Sequence, residues 1–352
     1  MPDERTSPEA RILINGVELS PDVRADVLHV SVTQYVEGGD SFDIAVNNLN
    51  SVDQRLKWVD ANLFAAGNAV DVQLGYRGQL ASLIVGEITG LRAEFPSDQA
   101  AVLVVQGFDR LHRLRRGRRV RAFHQTKDSQ IAEQIARDLG LSAQVEDTGV
   151  VHDYVLQPNL SDVDFLLERA RRIWYEVLVR DQQLVFRRAA NQAAEVVTLE
   201  YMKDLKMFRA RLSSGQQVSE VAVRGWDPAN KAAIVGIGRA GDETTRMGGQ
   251  RVGPAIAEQA FGSTHAAIVD VPVESQAEAD QIAKAKFNDM ALSWVTAEGE
   301  AVGNTQLRAG TTVRLRGLGN RFSGIYYVRK AEHRLGPELG YVTKFDCIRN
   351  AS

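Results

Sequence analysis

Hydrophobic and polar residues alternate along most of the first hundred positions. Segments 27–35, 42–46, 70–76, 83–95 and 102–108 read as strands, and several step in twos, the period of strands with one wetter face. Residues 11–19 (RILINGVEL) add a strand interrupted by an Asn-Gly turn signal. Gly38-Gly39, Gly67-Asn68 and Pro96-Ser97 punctuate the series. Residues 50–64 have room for one or two helical turns.

From Thr126 the period lengthens. Ile131, Ile135 and Leu139 recur every four residues, and Gly140 is placed to stop that helix. A second helix starts at Ser161, an N-cap residue, with Asp162 and Asp164 in its first turn where the dipole favours negative charge. Val163, Leu166, Leu167, Ala170 and Trp174 form its apolar stripe, and a hairpin of 175–179 and 184–186 follows. Alternation then returns at 218–225, 232–237, 313–315, 325–332 and 341–347. A helix over 275–294 interrupts it, opened by the capping box Ser275-x-x-Glu278. Residues 236–253 are expected to be a long exposed loop.

The two alternating regions resemble each other. Ala66 opens AGNAVDVQL and Ala309 opens AGTTVRLRG; Gly86 opens GEITGLRAEF and Gly324 opens GIYYVRKAEH. If this is a true repeat rather than a coincidence of β patterns, the chain holds two similar β units around an α+β insert. The expected fold class is mainly β with an α+β insert, comprising two tube-like β-barrel domains and a small α+β domain. The expected divisions are a flexible 1–10, a first barrel over 11–122, the insert over 123–190 and a second barrel over 191–352.

Composition narrows the function class. The formal net charge is −3 with ordinary apolar content, which does not suit a nucleic-acid or membrane-surface protein. The one cysteine, Cys347, has no internal partner for a disulfide, which fits a reducing compartment. There is no basic-then-apolar leader pattern and no apolar run of spanning length, so a cytoplasmic protein is expected.

Against that balance stands GFDRLHRLRRGRRVRAF, with Arg110, Arg113, Arg115, Arg116, Arg118, Arg119 and Arg121. Nucleic-acid binding would call for interleaved aromatics, and only Phe108 and Phe123 flank the run. The favoured reading is an interface or lumen-facing segment at a subunit or domain junction, paired with carboxylates. A solvated connector is the plainer alternative. Asp162 and Asp164 with Glu168 could suggest a metal or acid–base cluster, but no histidine accompanies them, and first-turn acids at a helix N-terminus are the plain reading. His333 has no nucleophile elbow to serve and is assigned a structural or interface role. Trp226-Asp227-Pro228 suits a strand-to-turn corner, with Asp227 accepting backbone N–H groups and Trp226 as a core or interface anchor. No catalytic, cofactor or metal-ligating set is expected.

Three segments carry a family resemblance: VRGWDPANKAAIVG (223–236), LQPNLSDVDFLLERARRIWYEVLVRDQQLVF (156–186) and GIYYVRKAEHRLGPELGYVTKF (324–345), the last containing His333 and Tyr341. Together and in this order they resemble the phage late control protein D family, the baseplate hub of contractile tails and related injection systems. The resemblance implies a structural homotrimer whose six barrels adapt a hexameric, sixfold inner tube to a threefold spike supplied by a separate protein. It also implies contacts with other baseplate proteins and assembly into a phage tail or tail-like particle, without nucleic acid, membrane or cofactor. A hub-like scaffold with cell-wall hydrolase activity and a nucleic-acid-binding protein are the alternatives.

Overall fold

The computed structural model describes residues 7–50, 52–227 and 230–352. The chain is mainly β. Among the described residues one sheet of thirteen strands carries the fold, and every neighbouring pair in it but one is antiparallel. The sheet is made of two halves with the same strand order. In the first half the path runs Val27–Tyr35, Ser41–Asn47, Val102–Asp109, Gln79–Glu94, Ala69–Tyr76, Pro8–Ile14. In the second it runs Leu205–Leu212, Val295–Val302, Gly340–Arg349, Gly324–Gly336, Thr312–Arg316, Val197–Glu200. The last strand breaks the parallel between the halves: Pro8–Ile14 is antiparallel to its neighbour and Val197–Glu200 is parallel.

Irregularities repeat as well. In the first half the register slips between Val27 and His29 and between Ile88 and Gly90. In the second it slips between Leu205 and Met207 and between Val328 and Lys330. A bulge bends and twists its strand, so matching bulges give the two halves matching curvature. Each half also sets a phenylalanine across from a glycine, Phe42 on Gly107 and Phe345 on Gly299. A Cβ on either glycine would sit 2.3 Å from a ring carbon of its partner, so glycine is needed there.

Bulge matching sets Gly90 and Gln106 against Lys330 and Asp346. The sequence match of Gly86 with Gly324 is therefore two residues out of register. An even slip keeps every side chain on its own face, so alternation alone did not reveal it.

The halves join through Gly324–Gly336 pairing with Val27–Tyr35, Lys330 opposite Tyr35 through Leu335 opposite Val30. Tyr341 of the second half is buried in the first half's core, where its ring lies 5.7 Å from Tyr76. Among the described residues no pairing closes either half on itself; the sheet runs open from Leu205–Leu212 to Val17–Glu18.

Between the halves, Asp128–Asp138 and Asp162–Arg172 pack with a three-stranded sheet (Ser142–Val145, Gln183–Arg188, Tyr175–Arg180) and a two-stranded ribbon (Arg119–Thr126, His152–Leu160) over one core. Ser161 caps its helix as expected, accepting from the Asp164 N–H at 3.2 Å. The helix expected over 275–294 spans Gln276–Leu292, with the Ser275 hydroxyl accepting from the Glu278 N–H at 3.2 Å.

Other expectations shift. Pro8–Ala10, assigned to a flexible terminus, begin the first strand, while Met1–Thr6 lie outside the described residues. The exposed loop over 236–253 is shorter than expected. Gly236–Arg239 finish the Ala232–Arg239 strand, and Gly253 starts the helix Gly253–Phe261. Strands Leu205–Leu212 and Val295–Val302 were not anticipated. The first has its alternation broken at the Lys206 bulge, and the second is built of small residues and glycine.

Candidate assembly interface

The arginine run falls on three elements: the short helix Leu111–Leu114, a turn at Gly117 (φ +82°) and the strand Arg119–Thr126. Its partners lie within the same chain. Arg113 makes a two-pronged ion pair with the buried Glu87, and Arg110 lies 4.0 Å from the same carboxylate. Arg121 donates to Gln157 at 2.7 Å, Asp138 at 3.0 Å and Asp162 at 2.7 Å. Its guanidinium also stacks 5.1 Å over Phe123. Arg119 reaches Asp162 at 3.3 Å. Arg115 donates to the Gly38 carbonyl at 2.8 Å and Arg118 to the Asn159 carbonyl at 3.4 Å, while Arg116 is exposed. The run thus ties the first half, through Glu87, to the insert, through Asp138 and Asp162. Asp162, anticipated as a helix-start acid, is also the buried anchor of two arginines.

His333 is fully buried, with the Tyr341 hydroxyl 2.9 Å and the Thr343 hydroxyl 3.2 Å from its Nδ1. Burial pushes its pKa down to about 3, so the ring is neutral and cannot serve as a charged group. Burial pushes the Tyr341 phenol well up. Trp226 is 58 % exposed at the end of Glu220–Asp227, and so is not a core residue. Asp227 accepts from the Asn230 N–H at 3.0 Å, as a turn acid does. Pro228 lies outside the described residues.

A second polar cluster, missed in the sequence, sits where both halves meet the insert. Asp40 and Asp109 face each other, with the Asp40 N–H donating to Asp109 at 2.8 Å. Burial raises the Asp109 pKa to about 6. Burial, and then the Asp109 charge, raise that of Asp40. Arg180 of the insert and Arg308 of the second half oppose the rise at Asp40. These four groups share a cavity of about 310 Å³. Nearby, the Tyr327 hydroxyl and Arg187 donate to Glu176, and burial raises the Glu176 pKa to about 7. Arg187 continues to the Gly310 carbonyl at 3.1 Å. The one sequence signal here was Asp40 directly after the Gly38-Gly39 break; the others lie far apart in the chain.

Among the described residues no three His, Cys, Asp or Glu side chains converge as a metal site. No helix among them is long and apolar enough to cross a membrane. Cys347 is buried, and burial pushes its thiol up.

The family model described as the Alg8 N-terminal domain matches residues 4–336. The chain belongs to the Alg8 N-terminal domain family. No curated protein matches the sequence. Among solved structures, this family member is similar to the 43 kDa tail protein of prophage MuSo2 from Shewanella oneidensis. The TM-score is 0.72 at 16% identity, over 97% of this chain and 98% of that one. It is also similar to a tail protein from Neisseria meningitidis, with TM-score 0.69 at 13% identity over 97% of each chain. A third is an E. coli type VI secretion component, itself described as similar to T4 bacteriophage tail proteins gp27 and gp5. There the TM-score is 0.58 at 13% identity, over 97% of this chain and 77% of that one. At such identities the likeness is one of fold.

Proposed function

We propose that the chain is a structural component of a phage tail or tail-like injection particle, specifically its central baseplate hub. Three copies form a homotrimer. Each half is a tube-like unit whose barrel is completed in the assembly, and the segment 123–190 is the α+β domain between them. Six such halves present near-sixfold symmetry to a hexameric inner tube. The trimer as a whole offers threefold symmetry to a separate spike protein, with other baseplate proteins outside. Assembly takes place in the cytoplasm.

The observation that carries this reading is the duplication: two halves in one chain with the same strand order and two bulges at matching positions. A duplicated unit in a threefold assembly yields six quasi-equivalent positions, which is what a sixfold-to-threefold adaptor needs. The fold likeness to tail proteins supports it. The role requires no chemistry, and the polar clusters described above act as ties between parts of the chain. Particle images that place the chain in the tail sheath or fibres, away from the tube–spike junction, would overturn the proposal.

A further inference from the structure

Among the sheet edges left without a strand partner in the described residues, two lie at matching places in the halves. One is the outer edge of the Leu205–Leu212 strand from Phe208 onward; the strand pairs with Val295–Val302, and only at its start does Leu205 also bridge Tyr201. The other is the far end of Gln79–Glu94. Its beginning pairs with Ala69–Tyr76, but from Gly90 onward that side is open.

The duplication says what these edges are. Matched by their bulges, Leu205–Leu212 is the second half's version of Val27–Tyr35, and Gln79–Glu94 is the first half's version of Gly324–Gly336. Those two counterparts are already paired with each other at the junction inside the chain. We propose that the two free edges make the same junction between copies. The 205–212 strand of one copy adds antiparallel to residues 91–95 of the next. Carrying the internal register across sets Leu91 opposite Leu212, Ala93 opposite Ala210, Glu94 opposite Arg209 and Phe95 opposite Phe208.

Exposure supports this occupant. Inside the chain the junction buries Val30, Val32, Ala331 and His333 to 0%. At the open edge, Leu91 and Phe95 are 44% and 59% exposed on the corresponding face. Open apolar edges of this kind invite another strand, and the natural partner carries Leu212, Ala210 and Phe208 on the matching face. On the opposite face, Glu94 meets Arg209 and lies diagonal to Arg211, which offsets the facing of Arg92 and Arg211. Each copy offers one edge of each kind, so the contact is head-to-tail and closes only as a ring. The number of copies rests on the proposed homotrimer; the register does not.

Cysteine pairing in the full-length protein tests it. The native Cys347 is buried and does not compete. Protein carrying Glu94→Cys is mixed with protein carrying Arg209→Cys and mildly oxidised. The expected product is a covalent dimer that forms at least about tenfold faster than with Arg211→Cys as partner, because disulfide geometry is narrow. The double variant E94C/R209C is expected to yield a ladder ending at trimer. A trimer by mass with no preference for R209C overturns the edge register and leaves the hub reading standing. A preferred cross-link in chains that grow without closing keeps the edge and overturns the trimer. A protein that stays monomeric and uncross-linked overturns the edge pairing.

Discussion

Glu176 of the insert accepts from Tyr327 of the second half and from Arg187; both contacts favour its ionised form, but burial outweighs them. Its pKa rises from 4.5 to about 7 because it is buried, so the folded chain keeps a proton that the unfolded chain has already lost. Stability from this group is therefore present below about pH 4.5 and is lost as pH rises through 7. Replacing it by Gln, which still accepts from Tyr327, should flatten that fall. The change is on the order of 2–3 kcal/mol between the two pH values, read from urea midpoints of variant and parent. Arg121 gives a second prediction. Arg121→Ala takes a partner from the buried Asp162 and should cost about 2–3 kcal/mol with an unchanged denaturant slope. Exposed Arg116→Ala should stay within about 0.5 kcal/mol. The arginines themselves were plain in the sequence. Their partners Glu87, Asp138 and Asp162 were not, because nothing local marks a carboxylate that a strand and a helix bring in from elsewhere.

At the scale of elements, the helix Gln276–Leu292 lies on the strand Ala232–Arg239 with no space between them. A Cβ on Gly236 would meet the Ala279 backbone at 2.1 Å, and one on Gly238 the Ala283 carbonyl oxygen at 2.4 Å. Gly238→Ala should therefore cost about 1–3 kcal/mol in thermal or chemical unfolding, because helix and strand must part. Gly90→Ala, where a Cβ meets nothing within 4 Å, should leave folding nearly unchanged. Helices with caps and a four-residue stripe were legible, since their signals are local. So were the long alternating strands. Two strands that escaped notice have a pattern broken by a bulge, at Lys206, or built of small residues, around Gly299. The start of the loop expected over 236–253 was misjudged because Gly236 and Gly238 serve close packing under a helix, not chain flexibility.

For the whole molecule, the repeat was visible in sequence to within two residues, and bulge positions fix its true register. The open sheet was not foreseen, because alternation shows which face is wet but not whether a sheet closes. In the proposed hub, closure belongs to the assembly. Three chains complete what one leaves open, with the junction inside each chain repeated between chains. The most direct test is the mass of the purified protein by light scattering, followed as concentration rises. The hub reading requires a species of three times 38.8 kDa that gains no further copies. A mass that stays at 38.8 kDa up to the solubility limit, or one that settles at two or four copies, would contradict it.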